Sequence, residues 1–149
     1  MSEEKTVSVE LRQQHDYRFE IDFGPDMPRI TSDEPAPLGT GLGPTPVHLL
    51  CAAVGNCLSD SLLFALRKFK QAPEPMRCVV QAEVGRNADG RMRVLSMQAT
   101  LHLGVAAAQL DKLQRVLDSF ESYCTVTQSV AQGIAITTQV VDADGAVLK

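Results

Sequence analysis

A chain of 149 residues fits one domain, residues 1–149, and its 44% hydrophobic and 21% charged residues are those of a sequence that folds around a core. With 14 basic against 18 acidic residues it lacks the cationic excess that neutralising phosphates requires, so nucleic acid is excluded as an expected partner. The polar start Met1-Ser2-Glu3-Glu4-Lys5 carries no export pattern, and a cytoplasmic setting is expected, where four cysteines serve as core residues or redox-active thiols rather than a disulfide framework.

Residues Thr6 to Gln13 and Tyr17 to Phe23 alternate apolar and polar side chains (Val7, Val9, Leu11; Tyr17, Phe19, Ile21, Phe23), the signature of half-buried strands, and together they predict a hairpin. From Gly24 to Pro46 the density of Gly and Pro predicts one long loop. Thr45-Pro46 then supplies an N-cap and a proline at the first helical position, where its missing N–H costs nothing. The helix that starts there is expected to run to about Lys70, where Gln71-Ala72-Pro73-Glu74-Pro75 stops it. At ~1.5 Å per residue it is nearly 40 Å long. His48, Asn56, Asp60, Arg67 and Lys68 interrupt it too often for a membrane span, yet its first turns leave little polar face. A helix to be buried on nearly every side needs more cover than one small chain provides, which predicts a homodimer sharing it.

Arg77 to Gly85 and Arg91 to Leu103 are β-rich and flank Asn87-Ala88-Asp89-Gly90, predicting a second hairpin. Ala106 to Phe120 places Leu110, Leu113, Val116, Leu117 and Phe120 at helical spacing. Tyr123-Cys124 breaks that helix, Thr125 to Gln132 forms a short one with Gly133 as C-cap, and Ile134 to Val141 is a closing strand. Paired rather than strictly alternating strands predict an α+β fold with mostly antiparallel sheet.

Four cysteines carry the candidate chemistry. Cys57 lies mid-helix, too far from the helix start for its dipole to activate the thiol, so a neighbour brought by tertiary structure must do so, with Arg18 or Arg29 as candidates. Gly55 and Asn56, weak helix formers, sit directly before it. Cys124 falls at a junction between helices, where backbone N–H groups of the second helix are positioned to stabilise a thiolate. Both residues also fit inert packing. Cys51, about 240° around the helix from Cys57, and Cys78, in an apolar strand, read as core. His15, His48 and His102 are scattered, Cys-x-x-Cys is missing, and no metal site is expected. Nucleotide-binding glycine patterns and the Gly-x-Ser-x-Gly elbow are missing as well.

The segments Asp33-Glu34-Pro35-Ala36-Pro37-Leu38-Gly39, Gly43-Pro44-Thr45-Pro46-Val47-His48-Leu49-Leu50 and Gly55-Asn56-Cys57-Leu58, with Tyr123-Cys124-Thr125-Val126 67 residues beyond Cys57, resemble the OsmC/Ohr family. The resemblance implies an OsmC-like fold of antiparallel sheets around long central helices, an intertwined homodimer with active sites at the subunit interface, and thiol-dependent reduction of hydroperoxides, organic ones in particular, with no cofactor. Matched to the family, Cys57 is the peroxidatic cysteine, Cys124 the resolving cysteine whose disulfide an external dithiol reduces, and Arg18 the arginine that holds the thiolate. Organic hydroperoxide resistance proteins carry glutamate after the helix-opening proline, where this chain has Val47; many other members have it at the next position, here His48; and Thr125 stands where proline usually follows the second cysteine. Asp60 and Ser61, one turn past Cys57, add a possible negative charge. These departures point to the OsmC-like group rather than the specialised branch. A non-catalytic dimer binding a small apolar or thiol-reactive ligand, and a redox sensor for a protein partner, are the alternatives.

Overall fold

The computed structural model describes residues 4–149, which divide into two compact units meeting within the long helix, one up to Leu49 and the other Leu50–Lys149. In the first, β1 (Glu10–His15), β2 (Arg18–Asp22) and β3 (Ile30–Ser32) form an antiparallel sheet in that order. The predicted hairpin is present, with a turn at Asp16 in the left-handed region (φ 49°). Its outer strand is not half-buried, however. Every residue of β1 is exposed, Leu11 among them, and Val7 and Val9 before it are exposed too, because β1 is an edge strand paired on one side only. The expected loop also contains β3, which short-range patterns do not mark because its three residues gain strand geometry only by pairing with β2. The chain after β3 folds back so closely that Gly43 leaves no room for a Cβ beside the Thr31 carbonyl.

Helix α1 (Pro46–Lys68) starts where the cap signal places it. Thr45 Oγ1 accepts from the His48 N–H at 3.4 Å, and the Thr45 N–H donates to His48 Nδ1 at 3.0 Å, so an imidazole takes the part that glutamate plays in a capping box.

In the second unit β4 (Arg77–Arg86) and β5 (Met92–His102) are antiparallel, joined by a turn in which Asn87 Oδ1 accepts the N–H groups of Asp89 and Arg91 and Gly90 takes φ 75°. The last strand, β6 (Ala135–Val141), is parallel to β5, giving the order β4-β5-β6. Its direction follows from the helical crossover between the two strands. That crossover is not the single helix predicted from Ala106 to Phe120. A 3-10 turn (Ala107–Gln109) is tied down by Asp142 Oδ2, which accepts the Ala107 N–H at 2.9 Å; Leu110 is extended and Lys112 left-handed (φ 60°). The Asp111 N–H meanwhile donates to Gln71 Oε1 at 2.8 Å. Only then does α2 (Leu113–Ser119) begin, followed by a 3-10 turn (Phe120–Tyr123) and α3 (Thr125–Val130). Gly133 is not left-handed; α3 ends at Ala131 with ordinary helical backbone.

The core of this unit lies between one stripe of α1 (Val54, Leu58, Leu62, Leu66), the sheet residues Met97, Ala99, Leu101 and Val140, and Val116, Leu117 and Phe120 of the crossover. Each of the three α1 leucines, fully covered, contributes roughly 2 kcal/mol. By length and composition α1 is apolar enough to cross a membrane, a test that core helices also pass, and here it spends that apolarity on the sheet along one stripe. It is not enclosed on nearly every side: Ala52, Ala53 and Phe64 are exposed in the single chain.

Candidate functional site

The close fit of α1 on β4 starts from a missing side chain. A Cβ on Gly55 would lie 2.7 Å from Val80 Cγ2 and 3.4 Å from Cys78 Sγ, so the helix reaches the sheet only because position 55 has none. Cys57, two residues on, points to another side, toward the joint between the 3-10 turn and α3. Cys124 occupies that joint as the N-cap of α3, with extended backbone (φ −81°, ψ 99°) and no exposed surface.

The two sulfurs meet there as free thiols. Cys57 is hydrogen-bonded to Cys124 and receives the backbone N–H groups of Val126 and Thr127, in the first turn of α3. Cys124 Sγ donates in turn to Thr127 Oγ1 at 2.8 Å. The expected donors of the second helix are therefore present, but they serve Cys57 rather than Cys124. Burial, with the hydrogen bond to Cys124 next, pushes the Cys57 thiol above its ordinary value, and the two N–H groups only partly offset this.

Cys57 opens onto a cleft of about 530 Å³ with Phe64, Ala65, Phe69, Val116 and Tyr123 as its apolar wall. Arg115 of α2 and Lys68 bring positive charge to it, and Arg115 lies over the Phe69 ring, 5.7 Å from its centroid. Asp60 also lines the cleft, its Oδ2 accepting from Asn56 Nδ2 at 3.1 Å.

Arg18 belongs to the other unit. Its Nη2 donates to Thr40 Oγ1 at 2.8 Å, and its Nε, buried without a hydrogen-bond partner, lies 3.7 Å from Asp33 Oδ2. Asp33 is nearly fully buried; burial alone would raise its pKa, but the N–H groups of Glu34, Leu42 and Thr40 and the Thr40 hydroxyl outweigh this and bring it from 3.8 to about 2. The alternative, Arg29, is engaged by Glu20 at 2.9 Å and Asp22 at 3.3 Å.

Cys51 and Cys78 are half-buried rather than core residues, both facing a second cleft, of about 390 Å³, beside Gly55. Burial raises both thiols, that of Cys78 against a hydrogen bond with Ser59. Among the described residues no group of three His, Cys, Asp or Glu side chains could hold a metal.

Two participants escaped the sequence reading. Thr127 stands three residues past Cys124, the spacing at which a cap residue meets the first turn, and that signal was there to use. Arg115 looks like any polar residue on the outer side of an amphipathic helix, and no short-range pattern marks it.

The family model described as OsmC-like protein matches residues 39–139. No curated protein sequence matches the chain. Among solved structures, an OsmC-like protein of unknown function from Vibrio cholerae is similar at 15% identity, covering 93% of this chain and 100% of that one, with a TM-score of 0.78. A putative osmotic stress induced and detoxification response protein from Psychrobacter arcticus is similar at 17% identity, 94% and 99% coverage and a TM-score of 0.77. The organic hydroperoxide resistance protein OhrB of Bacillus subtilis follows at 14% identity, 91% and 98% coverage and a TM-score of 0.69. Over nearly their whole lengths these chains share one α+β fold.

Proposed function

This chain is a member of the OsmC-like protein family, and from that premise we propose that it reduces organic hydroperoxides through a two-cysteine cycle, in a redox role related to peroxide. The observation that carries the reading is the contact between Cys57 and Cys124, two thiols 67 residues apart in sequence and hydrogen-bonded in the fold, one open to a cleft and the other sealed.

In the first step Cys57, as thiolate, attacks the terminal oxygen of the hydroperoxide. The O–O bond breaks, Cys57 becomes a sulfenic acid, and the alkoxide leaves and takes up a proton as the alcohol. The Cys124 sulfur then attacks the sulfenic sulfur; an S–S bond forms, and hydroxide leaves with the Cys124 proton as water. An external dithiol restores both thiols by exchange and is itself oxidised to a disulfide.

The thiolate needs support beyond the two N–H groups of α3, since the Cys57 thiol is raised. Arg18 is the cation we assign to that support, its guanidinium already ordered by Thr40 and Asp33. The working form is a homodimer in the cytoplasm, in which a second copy covers the exposed Ala52 and Ala53 of α1 and the edge strand β1. The chain acts as a single OsmC-like domain.

Mixing the reduced protein with a micromolar organic hydroperoxide should remove two thiols per chain and leave a Cys57–Cys124 disulfide, and Cys57→Ser should abolish the reaction. Equal, slow consumption by wild type and Cys57→Ser overturns the reading. Sedimentation of the reduced protein tests the dimer directly.

A further inference from the structure

We infer that Arg115 is a specificity-determining residue of the Cys57 cleft, holding the anionic end of a substrate that carries a carboxylate on an apolar body. The inference rests on the peroxidase reading for the chemistry at Cys57, but the charge selection it describes is a property of the cleft.

The cleft is chemically two-sided. Phe64, Phe69, Val116 and Tyr123 give it an apolar wall, and Phe64 and Tyr123 are each 74% exposed, surface that an apolar ligand would cover. Against that wall stand a guanidinium and an ammonium, from Arg115 and Lys68, and a single carboxylate, Asp60, already accepting from Asn56.

Arg115 makes no ion pair among the described residues. Its one ordered contact is with the Phe69 ring, 5.7 Å from the centroid, and its guanidinium N–H groups make no hydrogen bond among the described residues. A planar edge of paired donors is the complement of a carboxylate. Nor is its charge spent on the thiol: Cys57 is raised by burial and by Cys124, and is relieved only by backbone N–H groups. A cation that faces the cleft, is held by an aromatic ring and serves neither an internal acid nor the nucleophile is placed to recognise charge in what enters.

The para-carboxylate and the para-carboxamide of cumene hydroperoxide are matched probes, close in shape and different in charge. Wild type should prefer the carboxylate, and the preference should shrink with added salt. Arg115→Met should lower kcat/KM for the carboxylate about tenfold more than for the neutral peroxide, chiefly through KM, and Arg115→Lys should recover part of the difference. Equal loss for both probes, or no loss for either, overturns the inference.

Protection of Cys57 from iodoacetamide supplies a readout that needs no turnover. The unreactive 4-isopropylbenzoate should slow alkylation of wild type but not of Arg115→Met, and the uncharged 4-isopropylbenzamide should slow neither. If this protection holds while wild type turns over neither hydroperoxide, the peroxidase reading falls and the role of Arg115 stands. If both hydroperoxides turn over equally well and protection ignores charge, the reverse is true.

Discussion

The hydroxyl of Thr127 accepts the thiol proton of Cys124 at 2.8 Å inside the core, while the backbone N–H of the same threonine faces Cys57. Replacing Thr127 by Val keeps the shape and the backbone donor but leaves the sealed thiol without its acceptor. Thr127→Val should lose about 1 kcal/mol of stability in urea denaturation, and Thr127→Ser should lose less.

Cys124 raises the Cys57 thiol twice over, by hydrogen bonding to its protonated form and by opposing a second charge nearby. In Cys124→Ala both influences vanish and the N–H groups of Val126 and Thr127 remain. The pH at which Cys57 reaches half its maximal alkylation rate should therefore move down relative to wild type. An unchanged or higher midpoint would mean that burial alone sets the thiol.

Asp33 makes a contribution that depends on pH. Its carboxyl titrates at about 2 in the fold and near 3.9 in an unfolded chain, so the folded state favours the ionised form. That stability is fully present above about pH 5 and is lost as the pH falls through 4 towards 2. Thermal unfolding of Asp33→Asn should show a flatter dependence over this interval than wild type. A wild-type curve as flat as the variant's would contradict the hydrogen-bond arrangement around Asp33.

At Gly55 two effects oppose each other. Alanine favours a helix over glycine by ~1 kcal/mol, but its methyl would stand 2.7 Å from Val80 Cγ2 on a strand that can hardly retreat. Overpacking of this kind costs about 1–3 kcal/mol. Gly55→Ala should be less stable than wild type, and adding Val80→Ala should recover part of the loss, which a double-mutant cycle by urea denaturation measures.

How far the fold can be read from sequence depends on how local its causes are. Helix α1 was legible to within about two residues because a threonine, a proline and the Gln71 to Pro75 stretch act on their immediate neighbours. The β4–β5 turn was legible for the same reason, through Asn87 and Gly90. The segment from Ala106 to Phe120 kept its helical spacing of apolar residues yet broke at Lys112, because Asp142 and Gln71, distant in sequence, hold its backbone groups. The parallel direction of β6 followed from that crossover. Cys57 and Cys124 could be nominated from their positions in helices and from family resemblance, whereas Arg115 emerges only when α2 is folded beside Phe69.

The absence of any solvent-reachable surface on Cys124 dictates the order in which the pair can be recharged. An incoming thiol cannot approach the inner sulfur without unfolding the joint, so a bridge between the two would be opened from the outer side. The mixed disulfide with the electron donor would then sit on Cys57, and Cys124 would leave as the thiolate, its proton returning last, toward the Thr127 hydroxyl. Under the proposed cycle, reductant would therefore enter through the same door as oxidant, and the two would take turns.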